Sequence, residues 1–166
     1  MKLAIIATQG KLDLAYPPLI LATTAAAVGY DVQVFCTFYG LHLLRKDVSG
    51  LRVSPIGNPA MPMKMPFGPK WLRGINLTIP NFVQTNMPGF ESMATAMMKK
   101  TMKEKGVAGV EELRTLSLEA DVKFIGCQMT VDLFGFKRDE FIDGLEFAGA
   151  TSFFEFAGDA EISLYM

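Results

Sequence analysis

The chain has 166 residues, half of them hydrophobic and a fifth charged, which suits one ordinary domain with a buried core and excludes global disorder. Its 16 basic and 17 acidic side chains leave a net charge of −1 with no basic stripe, so electrostatics gives no case for nucleic acid as a partner. Cys36 and Cys127 lie far apart with no CxxC between them. That is no disulfide framework; it fits a reducing, cytoplasmic interior, and with a single histidine no metal set of zinc type is expected.

The opening MKLAIIATQG turns polar too early for a signal peptide. Residues 2–7 (KLAIIA) form a near-continuous apolar run, as in a parallel strand covered on both faces. Residues 8–13 (TQGKLD) make the first crossover loop, with Gly10 as its turn residue; it is neither a GxGxxG nor a Walker loop, so no nucleotide cradle is expected. The uncharged stretch 14–30 is at the lower length limit for a membrane span and holds Pro17 and Pro18. It reads instead as a buried crossover helix ending at Gly29, with both prolines in its first turn. No transmembrane segment is expected.

Residues 31–37 (DVQVFCT) set Val32, Val34 and Cys36 against Gln33, Phe35 and Thr37, a second strand. Residues 38–46 form a turn and short helix with His42, for which no positioned partner for base catalysis is visible. Residues 51–55 (LRVSP) supply a third short strand. From 57 to 90 the composition changes: Pro59, Pro62, Pro66, Pro69, Pro80 and Pro88 alternate with Met61, Met63, Met65 and Met87. Such spacing breaks helices and predicts a long apolar flap. Thioethers favour Cu(I), but a copper site needs a fixed ligand constellation that this run does not provide.

Residues 91–105 predict a helix with Met93, Met97 and Met98 as a core or interface stripe, and 110–120 a second with Leu113, Leu116 and Leu118 inward. Residues 122–126 (VKFIG) read as a buried strand, followed at once by Cys127 and a short helical turn ending near Gly135. A cysteine there sits at the carboxyl edge of a parallel sheet, facing a helix amino end, where a thiol is acidified and where open α/β sheets bind ligands. A buried, inert cysteine is the alternative. A polar helix over 137–144, a strand at 145–148, a helix over 151–158 and a last strand at 161–166 complete an α/β sandwich with a mostly parallel sheet.

Four stretches together resemble the DsrE/DsrF-like sulfur-trafficking proteins, in the branch often labelled peroxiredoxin-like: LDLAYPPLILA at 12–22, FCTFYGL at 35–41, NPAMPM at 58–63 and CQMTVDLFG at 127–135. The likeness extends to MPGFESMATAMMKK at 87–100 and runs nearly end to end, one domain over 1–166 with the Met/Pro-rich loop at 57–90. It implies a three-layer, flavodoxin-like or doubly wound sheet of about five strands, assembled as a homo-oligomer, a trimer or hexamer. It also implies a sulfurtransferase-type carrier that holds sulfane sulfur as a persulfide on Cys127 and exchanges it with rhodanese-like and TusA-like proteins, with no cofactor.

Gln128, Met129 and Thr130 of the same motif, and Gly10 at the same sheet edge, are then the binding residues, and Cys36 a second candidate thiol. The peroxiredoxin label has no chemical support: a peroxidatic cysteine follows a threonine by three positions, whereas Gln33 and Phe124 stand there. Two other classes stay open, a redox protein pairing Cys36 with Cys127, which needs Cα atoms within about 7 Å, and a non-catalytic ligand-binding module.

Overall fold

The structure is a computed structural model. It describes residues 1–54 and 86–166 and, between them, the backbone of Met63–Lys64 and Asn76–Leu77 together with Pro69, Trp71, Pro80 and Phe82. The chain packs as two compact units, residues 1–51 with 109–166, and residues 52–108. The first unit begins with β1 (Lys2–Ala7), α1 (Leu12–Ala27), β2 (Asp31–Cys36) and a 3₁₀ turn (Phe38–Leu44). The second carries β3 (Met63–Lys64), β4 (Asn76–Leu77) and α2 (Phe90–Glu104). The first unit resumes with α3 (Val110–Glu119), β5 (Lys123–Cys127), α4 (Gln128–Phe134), β6 (Glu146–Ala148), α5 (Ala150–Ala157) and β7 (Ile162–Tyr165).

The five-stranded sheet has the order β6-β5-β2-β1-β7, with every pairing parallel. Strands β1 and β2 are buried on both faces, which is why they read as apolar runs rather than clean alternations. The chain steps from β1 through β2 and β5 to β6 in one direction, so right-handed crossovers put α1 and α3 on one face, where they pack together. The return from β6 to β7 runs the other way, and α5 covers the opposite face. There Phe153 packs with Ala4, Phe35, Ile125 and Cys127.

Several local expectations are corrected. Pro17 and Pro18 lie inside α1, not in its first turn, because the helix starts at Leu12. Neither proline has an N–H to give to the residue four positions back, Asp13 or Leu14 in the first turn, and burial of Leu12, Ala15, Tyr16, Pro18, Leu19 and Ala22 outweighs that loss of two helical bonds. No strand forms over Leu51 to Ser54. The inward stripe of α3 is Val110, Arg114 and Ser117, spaced by four and three, while Leu116 is 41% exposed. The polar helix expected at 137–144 shrinks to a 3₁₀ turn over Arg138–Glu140.

In the second unit, β3 and β4 pair antiparallel, so the 57–90 segment carries some regular structure; most of the expected flap lies outside the described residues. Helix α2 begins after Gly89 in the left-handed region and buries Phe90, Ala94 and Thr95. Met93 and Met98 are exposed instead, so they are not core. Among the described residues, no helix is long and apolar enough to cross a membrane.

Candidate functional site: a capped thiol at a strand end

Cys127 is the last residue of β5 and the N-cap of α4, with extended backbone. A strand that runs straight into a helix leaves the first helical N–H groups without intrahelical partners, and here they open towards Sγ. Gly126 makes the junction possible: a Cβ there would come within 3.0 Å of the Phe147 ring and 3.4 Å of Leu41. Gly135, in the left-handed region, closes α4.

The second wall comes from the end of β2. The register sets Cys36 beside Gly126, so the next residue, Thr37, falls beside Cys127. Thr37 donates its N–H to Ala7 O (3.0 Å), and its hydroxyl lies 3.1 Å from that of the fully buried Thr130. Phe38 then turns into the left-handed region (φ 48°), a conformation unfavourable by about 1–2 kcal/mol for a residue with a Cβ. The turn aims the Phe38 N–H at Thr130 Oγ1 (3.3 Å).

Cys127 is 5% exposed, and burial alone would disfavour its thiolate. The Thr130 hydroxyl and N–H, the Thr37 hydroxyl and the Met129 N–H outweigh that and hold the thiol below its ordinary value. Among the described residues no such donor offsets burial at Cys36. That residue has no exposure, and burial pushes its thiol up to about 12.

The two sulfurs are also on opposite faces of the sheet. Cys127 shares a cluster with Phe35, whereas Cys36, the neighbour of Phe35 on the same strand, points the other way.

The remaining candidates divide. Thr130 is at the sulfur, and Met129 contributes its N–H while its side chain is 62% exposed. Gln128 is engaged in a surface bridge: its Nε2 donates to Asp132 Oδ1 (2.7 Å) and its Oε1 accepts from Arg138 (2.8 Å). Gly10 has a packing reason, since a Cβ would lie 2.5 Å from Tyr39 O. It lines a cleft of about 290 Å³ with His42, Arg45, Asp47 and the 48–51 turn, and Cys127 is not among that cleft's described lining residues. His42 sits half-buried with its ring edge-on to Phe136, its basicity reduced by burial and by Arg45. Thr37 is a site residue that the sequence does not single out: alternation puts it on the face opposite Cys36, but only the pairing of β2 with β5 sets it beside Cys127.

Exposed apolar side chains surround this corner. Phe134 stacks with Tyr39 (6.0 Å) and meets Phe38 edge-on (6.3 Å), and Leu133 is exposed beside them.

Fold and site together define a parallel α/β protein presenting one acidified cysteine at a strand end. The chain belongs to the DsrE/DsrF/DrsH-like family, whose description matches residues 1–165. It is 59% identical over 165 residues to the sulfur carrier protein DsrE2 of Allochromatium vinosum, covering 99% of this chain and 98% of that protein. It is 29% identical over 162 residues to the Bacillus subtilis protein YrkE, covering 98% and 94%. Among solved structures, the ychN protein from E. coli superposes with a TM-score of 0.52 at 13% identity, covering 100% of this chain and 99% of that one, a likeness of fold.

Proposed function

We propose that this protein is a sulfur carrier that holds sulfane sulfur as a persulfide on Cys127 and relays it between partner proteins. The observation that carries the reading is the convergence on one strand-end sulfur of the Met129 and Thr130 N–H groups and the paired hydroxyls of Thr37 and Thr130, which favours its nucleophilic form. The 59% identity to a protein named as a sulfur carrier supports it. In loading, the Cys127 thiolate attacks the outer sulfur of a donor persulfide. The new Sγ–S bond forms as the donor's S–S bond breaks, and the donor leaves as a thiolate. Discharge is the same exchange onto an acceptor thiol.

Rhodanese-like donors and TusA-like acceptors fit this chemistry, in the cytoplasm and on a trimer or hexamer of the chain. The exposed rings of Phe38, Tyr39 and Phe134, with Met129 and Leu133, offer such partners an apolar landing face beside the sulfur. The redox-pair alternative is disfavoured, because a Cys36–Cys127 bond would have to pass through the sheet that separates the two side chains. The test is intact mass after incubation of reduced protein with a sulfane-sulfur donor. Wild type and Cys36→Ser gain one reducible sulfur and Cys127→Ser gains none. No gain in any of the three overturns the reading in favour of a non-catalytic module.

A further inference from the structure

We infer that Thr37 is a positioning residue for the discharge step: with Thr130 it forms a hydroxyl pair that receives the charge left on Cys127 Sγ when the carried sulfur departs. The inference rests on the carrier reading and extends it to one direction of transfer.

The geometry restricts where the hydroxyl hydrogens can go. Thr130 Oγ1 already accepts the Phe38 N–H at 3.3 Å and lies 3.1 Å from Thr37 Oγ1. Each threonine has one hydrogen to give and two lone pairs to fill. Whichever hydroxyl donates across the 3.1 Å contact, the hydrogen of the other is left for Cys127, which the β2–β5 register sets beside Thr37 and one helical turn sets beside Thr130. Both residues are anchored, Thr37 through its N–H on Ala7 O and Thr130 by complete burial in α4, so the pair is set before the sulfur becomes charged.

In the loaded protein any negative charge of the persulfide sits on its outer sulfur Sδ, one bond beyond these donors. The acceptor enters as a thiol R–SH and gives its proton to Sδ; the resulting thiolate R–S⁻ then attacks Sδ of the protonated persulfide. The R–S–Sδ bond forms, the Sγ–Sδ bond breaks, and its electron pair moves to Sγ; the proton stays on Sδ. The hydroxyl pair therefore meets more charge in the transition state and the unloaded product than in the loaded reactant, the differential that accelerates a step. A more acidic thiol is also the better leaving group. On this geometry the site favours giving sulfur up over keeping it.

Thr37→Val keeps the shape and removes the hydroxyl; Thr37→Ser keeps the hydroxyl. Two readouts are needed, the pH profile of iodoacetamide alkylation of unloaded Cys127, and the rate at which loaded protein passes its sulfur to glutathione, followed by intact mass. Thr37→Val is expected to move the alkylation profile to higher pH and to slow discharge about threefold, with Thr37→Ser close to wild type. Thr37→Val superimposing on wild type in either readout overturns the inference. Failure of wild type to load would instead sink the carrier reading, and the alkylation profile would still decide whether the hydroxyl acts on the sulfur.

Discussion

The two cysteines differ enough in setting that a single alkylation experiment tests the site. Burial raises the Cys36 thiol from an ordinary 9.0 to about 12, while the donors around Cys127 hold it below that ordinary value. The thiolate is the reacting form, and each unit is a factor of ten in its population near neutrality. Three units between 9.0 and about 12 leave Cys36 roughly a thousandfold less ionised than an unperturbed thiol, and further still behind Cys127. The absence of any exposed surface at Cys36 adds a second barrier, because a reagent reaches it only when the sheet opens.

Native protein treated with excess iodoacetamide at pH 7.5 should therefore gain one adduct, mapped to the peptide containing Cys127, and the second only in denaturant. Cys127→Ser should gain none on the same timescale. Alkylation of native Cys36 at a rate within tenfold of Cys127 would refute both the burial argument and the assignment of the working thiol.

Four further outcomes follow from named contacts. Because the folded Cys36 thiol titrates above its unfolded value, its contribution to stability is complete below about pH 8.5 and is lost as pH rises towards 12, by about 4 kcal/mol at most from three units of about 1.4 kcal/mol each; chemical denaturation from pH 7 to 11 should show a steeper loss in wild type than in Cys36→Ala. Gly40→Ala would set a Cβ 2.1 Å from Ala7 O, so it should lower stability by about 3 kcal/mol or prevent folding, read as Tm or soluble yield. Arg114→Met removes the donor of Leu43 O (2.9 Å) and Arg45 O (2.7 Å) and should lower unfolding free energy by about 2–4 kcal/mol in urea titration. Gln33 is 4% exposed and its Nε2 has no partner among the described residues; Gln33→Met should raise stability by about 1 kcal/mol, and a lower Tm would show that the amide is satisfied in solution.

What the sequence carries plainly is what is local. KLAIIA gives β1 residue for residue, and KFIGC followed by an immediate helix places Cys127 at a carboxyl edge, because buried parallel strands need unbroken apolar runs and helices need a residue to start from. What it hides is which side of an element tertiary packing selects. In α3 the leucines look like the core, yet Arg114 and Ser117 are buried, since the carbonyls of the 3₁₀ turn need a donor and Ser117 lies against Thr23 of α1 at 2.7 Å. Neither demand is visible within the α3 sequence. Likewise α1 continues through two prolines that propensity would place at its start, because its buried face decides.

The site shows the same division, and the part that was not legible is the part that tunes it. Cys127 and Thr130 lie three residues apart, so one turn of helix brings them together and a motif reveals them. Thr37 is ninety positions away and reaches the sulfur only because β2 and β5 are neighbours in register, a fact about sheet order that no window of sequence contains. The left-handed Phe38 is the clearest mark of this. A phenylalanine there gains nothing locally, and the conformation persists because it directs one N–H to Thr130 and one ring to Phe134. Strain held at that point, beside the sulfur and under the exposed aromatic face, ties the reactivity of the thiol to the surface a partner would touch. Phe38→Gly separates the two: it relieves the backbone and can keep the N–H contact while removing the ring. It should leave the alkylation rate of Cys127 within about twofold of wild type and weaken exchange with protein partners, measured against exchange with glutathione. An equal loss with both acceptors would place the ring's effect on the thiol itself and not on docking.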